Sequence, residues 1–336
     1  FNLLMVYLSV NSKYSVKLSG YQDKVEATKN MIACIDEIKE NATFEVSELD
    51  KYDTGLIGVN SSKITTKVDI DSSMIESKVI VTNPNFAAYI IDKFYELGIS
   101  DGHTIAVSMT GSLPGANIAL LSACKAMNIK PVIISSAGSS SWGANREAFS
   151  WPYIESLLYS KGLIKNKSMA YSMGGVDDLG TQLPDEGIEI FESVIPDDAI
   201  FVNEKTLYGN ILKKLELFNI EQNNYSLYVN IGGGAASLGG YIVGLGDHKD
   251  TLDVGLITIT DAEEWESEGF KTSIAHSFLF NDEESIPMLN IKNIKKLFRG
   301  NSLDDFMNSK NYEGNLFYRT NAYNPIVILL ALFLSI

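Results

Sequence analysis

The hydrophobic positions of this chain alternate between two rhythms. Thr104–Met109 (TIAVSM) is a short apolar run with β-branched residues, and Thr110–Gly115 (TGSLPG) supplies turn chemistry. Ala116–Met127 then places Ile118, Leu121 and Cys124 at helical spacing, and Asn128 and Pro131 end it. Pro131–Ser135 is a second apolar run. Strand, turn, helix and strand in that order form a βαβ unit, which implies parallel strands in a sheet buried on both faces. The turn after the first strand falls at the carboxyl edge of that sheet, where such folds bind ligands.

The alternation continues on both sides. Lys24–Asn41 is amphipathic, with Met31, Ile32, Ile35 and Ile38 opposite Glu37, Lys39 and Glu40. Thr43–Ser77 is polar and lacks a period, and is expected to be an extended arm. Asn83-Pro84 opens a helix whose buried stripe is Phe86, Ile90, Phe94 and Leu97, and Gly98 ends it. Ser150 precedes a helix that buries Ile154, Leu157 and Leu158. Ser168–Met173, Ala199–Asn203, Tyr225–Ile231, Val254–Thr260 and Ile286–Ile291 read as strands. Pro184–Ile195 and Glu204–Phe218 read as helices, and an apolar helix is expected through Tyr241 and Leu245. The pattern predicts an α/β fold, a mostly parallel, Rossmann-like sheet with helices on both faces. One globular domain is expected over residues 20–320, with subdomains of about 20–200 and 200–320 left open.

The two ends break the rhythm. Phe1–Val10 (FNLLMVYLSV) and Ile326–Ile336 (IVILLALFLSI) are almost wholly apolar, each about half of the roughly 20 residues a membrane-spanning helix needs. They are read as clipped membrane segments over 1–12 and 325–336, against the alternative of terminal elements docked on the core. A signal-peptide remnant also fits the first.

Composition narrows the partners. The 336 residues are 45% hydrophobic and 21% charged, enough for a sizeable core. A net charge of −15 argues against a nucleic-acid partner, which needs a basic face, and against broad adhesion to an anionic membrane surface. Cys34 and Cys124 lie inside apolar helical patterns and are expected as buried thiols. His103, His248 and His276 are scattered, so no metal centre is expected, and no cofactor either. In NIKNIKKLFR, Lys292, Lys295, Lys296 and Arg299 are either ordinary surface or a contact for lipid headgroups or an anionic polymer.

Three strands end in small-residue turns: MTGSLPG, MGGVDD and IGGGAAS. The first lacks the lysine and spacing of a phosphate loop, and the third matches the dinucleotide fingerprint only in part. No nucleophile elbow of the GxSxG type is present. The remaining candidate chemistry is an anion site formed by backbone N–H groups and hydroxyls at the turns. Its candidate residues are Ser108, Thr110, Gly111, Ser112, Gly115 and Asn117 around the first turn, and Ser135 and Ser136 at the end of the second strand. Trp142 in the loop beyond and Gly232, Gly233 and Gly234 at the third turn complete the set. For Ser112 the alternative is a helix cap, and for the glycines simple packing. Asp177 and Asp178 are candidates for an acid or a metal ligand, against the alternative of solvated loop carboxylates.

VSMTGSLPGANIALLSACKAMNIKPVIISSAGSSSWGAN, preceded by SKITT and TNPNFAA and followed by MGGVDDLG and YVNIGGGAASLG, resembles the poly-gamma-glutamate system protein family over about Thr54 to Lys296. The resemblance implies a membrane-anchored accessory component of bacterial poly-γ-glutamate synthesis and export. Its implied partners are the synthase and export membrane subunits, glutamate or its polymer, and the lipid bilayer. The implied location is the cell membrane, with the globular domain on the extracytoplasmic side. It brings no catalytic residues. The same core also resembles the phosphosugar-binding core of sugar-isomerase domains, but Pro114-Gly115-Ala116 replaces the hydroxyls those domains place after the turn. A non-catalytic assembly scaffold is the third alternative.

Overall fold

The fold is that of a computed structural model, which describes residues 2–67, 72–239, 254–262, 268–281, 284–298 and 302–335. Its centre is a seven-stranded sheet. In chain order the strands are β1 (Thr104–Thr110), β2 (Lys130–Ser136), β3 (Ala170–Ser172), β4 (Ile200–Phe201), β5 (Tyr225–Ile231), β6 (Gly255–Ile257) and β7 (Met288–Ile291). Their order across the sheet is β6-β7-β5-β1-β2-β3-β4. All neighbours pair in parallel except β6, which runs antiparallel to β7 at the edge. The chain therefore moves outward from β1 to β4, then returns to place β5 on the other side of β1. That reversal makes the β1–β5 boundary the switch point, where the connections leave in opposite directions and open a crevice. One sheet thus takes strands from both sides of residue 200.

Helices cover both faces. The principal ones are α1 (Tyr21–Asn41), α2 (Ser72–Thr82), α3 (Phe86–Glu96), α4 (Pro114–Met127), α5 (Trp151–Ser160), α6 (Asp185–Val194), α7 (Leu207–Phe218) and α8 (Ile274–Leu279). The first six bury Met31, Ile80, Phe94, Leu120, Trp151 and Phe191 against Ile105, Val107, Ile133, Tyr171 and Val229. α7 and α8 bury Ile211, Phe218, Ile274 and Phe278 on the opposite face, against Ala106, Ile134, Ala170 and Tyr228. Residues i and i+1 of a strand face opposite layers, so Ile105 and Ala106 serve the two cores separately. Both cysteines are buried and unbridged, and burial pushes the Cys34 thiol up to about 12.

Part of the stretch read as an aperiodic arm is α2. The rest is extended: Thr65 and Lys67 pair with Ser139 and Ser140, and Gly58 N–H donates to Trp142 O at 3.1 Å. The arm straps the loop that follows β2. α2 packs on the start of α4, where a Cβ on Gly115 would lie 2.6 Å from Val81 O and 3.0 Å from Thr82 N. Gly115→Ala is therefore expected to force the helices apart and cost about 1–3 kcal/mol, readable by urea denaturation.

The ends form two short helices, Asn2–Asn11 and Pro325–Ser335, which pack against each other. They cap a two-stranded antiparallel ribbon of Lys13–Lys17 and Tyr318–Tyr323. Among the described residues no helix is long and apolar enough to cross a membrane, so the expected spanning segments find no support in the fold. Both helices nevertheless hold apolar side chains in solvent: Val6 is 61% exposed, Ile326 66% and Phe333 77%. The helix expected through Tyr241 and Leu245 lies outside the described residues, as do His248 and Arg299.

Candidate functional site at the carboxyl edge of the sheet

On the face covered by α7 and α8, the strands run apolar and then turn polar at their carboxyl ends. β1 reads Ala106, Ser108, Thr110; β2 reads Val132, Ile134, Ser136; β3 reads Ala170, Ser172; β5 ends in Tyr228, Asn230. The two-residue period keeps each series on one face. A small cavity sits where these ends meet the Gly232–Gly234 turn, at the switch point. Ser108, Thr110, Ser136, Asp178, Lys214 and Ser237 line it, with Met109, Ile134 and Ala236 as its apolar wall. Its volume of ≈ 10 Å³ holds a single water-sized group.

Helix α7 brings the charge. Thr206 Oγ1 accepts from Gly209 N at 3.0 Å and starts the helix, so Asn210 and Lys214 follow one turn apart on its buried side with Ile211 and Phe218. Lys214 Nζ lies 2.6 Å from Asp178 Oδ2, and the two side chains are 5% and 1% exposed. Asp178 also accepts from Ser172 Oγ at 2.8 Å, Ser136 Oγ at 3.2 Å and Asn210 Nδ2 at 3.1 Å. A carboxylate offers about four lone-pair sites, and these four donors fill them. Asp178 is thus the counter-ion that fixes Lys214, with no lone pair left over for a metal. Among the described residues no group of His, Cys, Asp or Glu could hold a metal ion.

Hydrogen-bonding capacity remains of both kinds: beside the cavity Asn230 Oδ1 is a buried acceptor with no donor among the described residues, and the cavity itself holds spare protons. An ammonium carries three protons, and Lys214 spends two, on Asp178 and on Ser172 Oγ at 2.8 Å. Thr110 Oγ1 accepts from Ser112 N at 3.3 Å, and its own proton has no acceptor among the described residues. Tyr228 Oη lies 2.9 Å from Ser108 Oγ and 3.2 Å from Ser237 Oγ. Three hydroxyl protons share those two bonds, so one serine proton is left over. Burial pushes the Tyr228 phenol up to about 12, which keeps its proton in place at neutral pH. The cavity therefore has spare donor protons, and the only acceptors it keeps are hydroxyl lone pairs, since the Asp178 carboxylate is filled.

The sequence-derived candidates divide accordingly. Ser108, Thr110, Ser136, Gly234 and Asp178 meet at the cavity, and a Cβ on Gly232 would lie 2.5 Å from Thr110 Oγ1. Gly232 has φ +96°, a backbone state that favours glycine, and so the turn passes close over Thr110. Gly233 lies outside on the exposed side of the turn, near Lys292 Cε. Gly111, Ser112, Gly115, Asn117, Ser135, Trp142 and Asp177 are engaged elsewhere. Ser112 does not cap α4: its Oγ accepts from Ser140 N at 3.0 Å, and its carbonyl from Lys78 Nζ at 2.7 Å. Gly111 O accepts from Ala144 N at 2.8 Å, and Gly115 is filled by α2. Asn117 Nδ2 donates to Thr110 O at 2.9 Å from beneath the turn. Trp142, with φ +64°, is held by its backbone to the Gly58–Val59 arm. Asp177 accepts from Leu179 N at 3.0 Å and from Thr181 Oγ1, which ties the loop to itself.

Ser135 points to the opposite face. It bonds Ser168 Oγ at 2.7 Å and accepts from Trp151 Nε1 at 3.3 Å, next to Glu155. Glu155 is fully buried, accepts from Ser168 N at 3.0 Å, Ser168 Oγ at 2.9 Å and Tyr171 Oη, and burial raises its carboxyl above the ordinary value. That cluster braces α5 against β3.

Lys214, Ser172, Tyr228 and Ser237 did not figure among the sequence-derived candidates. The signal for Lys214 was its place on the apolar stripe of α7, between Ile211 and Phe218. Comparison of the chain with family models, curated proteins and solved structures finds no match.

Proposed function

We propose that this chain is a membrane-anchored accessory component of bacterial poly-γ-glutamate synthesis and export, and that it receives glutamate or its polymer at the carboxyl edge of its sheet. The observation that carries the binding part is the set of buried N–H and O–H protons left without an acceptor at the switch point. A buried donor without an acceptor costs about 1–3 kcal/mol, and a ligand oxygen relieves that cost. The exposed Gly233 side of the third turn is open to a polymer carboxylate. The pathway comes from the resemblance of the glycine-rich blocks. The membrane part is supported by two adjacent apolar helices whose side chains stand in solvent, the kind of exposed apolar surface that marks an interaction site. With a net charge of −15, polymer contact has to be local, and the partners of choice are the membrane subunits that handle the polymer.

The phosphosugar reading loses ground because the first turn of α4 is occupied by Gly115–Val81 packing, and the cavity is too small for a phosphate. Two measurements test the proposal together. Expressed in bacteria, the chain is expected in the membrane fraction, released by detergent and retained after a high-salt wash. Purified, it is expected to melt at higher temperature with γ-glutamyl oligomers and not with sugar phosphates. A soluble chain stabilised by sugar phosphates would reinstate the isomerase-like reading. A membrane-bound chain stabilised by neither would leave an assembly scaffold.

A further inference from the structure

We infer that the group entering the switch-point cavity is a neutral carbonyl oxygen, the amide oxygen of a γ-glutamyl linkage, while the charged carboxylates of the ligand stay outside. This rests on the reading that the chain handles γ-glutamyl material, and it specifies which atom of that material the cavity takes.

Three observations converge on it. Three donor protons are spare: the third Lys214 proton, the Thr110 hydroxyl proton and one proton of the Ser108–Tyr228–Ser237 chain. An ammonium, a guanidinium or a metal ion would meet the Lys214 ammonium and find only hydroxyl oxygens, because the Asp178 carboxylate is already filled. Second, the charge of Lys214 is already matched by Asp178 at 2.6 Å, and both side chains are buried. The cavity is electrically balanced, so a carboxylate driven into it would be a second buried negative charge beside Asp178. An amide oxygen carries a strong dipole and no net charge, and it accepts two hydrogen bonds without disturbing that balance. Third, the volume of ≈ 10 Å³ suits one oxygen, not the two of a carboxylate or the three of a phosphate. Met109, Ile134 and Ala236 supply apolar wall for the carbon bearing that oxygen.

The outer geometry fits the rest of such a ligand. The Gly232–Gly234 turn borders the cavity with Gly234 inside and Gly233 exposed, and the Lys292 stem lies alongside. A γ-glutamyl unit that puts its amide oxygen inward leaves its α-carboxylate in solvent at this rim. The polymer then needs no basic groove, which agrees with the acidic character of the chain.

Calorimetric titration of the full chain with three probes tests this. The probes are a γ-glutamyl pentamer, glutarate (two carboxylates, no amide) and the pentamer with its α-carboxylates methylated. The expected result is binding of both pentamers, the methylated one within about tenfold of the free one, and no binding of glutarate. Ser237→Ala and Thr110→Val each remove a spare donor and spare the Lys214–Asp178 pair, and each is expected to weaken both pentamers at least fivefold. Circular dichroism melts of the two variants check that they fold. Glutarate binding as well as the free pentamer, with the methylated pentamer inert, would overturn the amide assignment and keep γ-glutamyl binding. Pentamer binding unchanged in both variants would place the contact away from the cavity and overturn the inference alone. No binding of any probe would overturn it together with the ligand part of the proposed function.

Discussion

Lys214→Met is expected to destabilise the protein by about 3–5 kcal/mol, measured by urea denaturation, because it strands Asp178 as a buried charge without a counter-ion. Methionine has nearly the length of lysine, so the loss of packing is small and the loss is electrostatic. Ser136, Ser172 and Asn210 still donate to Asp178, yet none of them carries charge. The pair is an interaction and not two independent sites, so the Lys214→Met/Asp178→Asn double variant is expected to recover about 2 kcal/mol relative to the sum of the singles. Additive losses would mean that the ammonium is held by something other than Asp178.

The second large effect lies on the other face. Glu155→Ala is expected to cost about 3–5 kcal/mol, since Ser168 N–H, Ser168 O–H and Tyr171 O–H then lose a buried acceptor together. Its pH dependence is specific. Burial raises the folded-state value of Glu155 above the usual 4.5, so the folded chain binds that proton more tightly than the unfolded chain. The stability it contributes is complete below the unfolded value and declines as pH rises through 4.5 toward the folded value. Glu155→Gln cannot titrate. The stability margin of the wild type over Glu155→Gln is therefore expected to be widest near pH 4 and to shrink toward pH 8. Thermal melts across that range check it, and a margin that widens with pH would contradict the assignment.

These expectations depend on side chains that the sequence made visible to different degrees. The α/β class, the β1–α4–β2 unit and most of the later strands follow from apolar runs and helical stripes, because those periods are set by burial itself. β6 was legible as a strand, but its antiparallel pairing with β7 was not, because an apolar run carries no sign of its direction. α2 was hidden in a polar stretch, since its helix is fixed by contact with Gly115 and not by its own amphipathicity. At the site, the hydroxyls of β1 and β2 could be named because they interrupt apolar runs. Their selection could not, because Ser135 and Ser136 are adjacent in sequence and face opposite cores. Asp177 and Asp178 show the same limit: one ties its own loop, and the other turns inward at φ +62° to meet Lys214. Ser112 and Gly115 looked like an anion loop, but the structure uses both to lock α4 against neighbouring backbone.

The most direct measurement is the side-chain nitrogen spectrum of lysine-labelled protein, with Lys214 identified by its absence in Lys214→Arg. Adding γ-glutamyl pentamer is expected to shift the Lys214 ammonium resonance in a saturable way as its third proton gains an acceptor. A Lys214 signal that stays fixed while Lys292 or other surface lysines respond would contradict the claim that the donor-rich cavity is where the ligand is read.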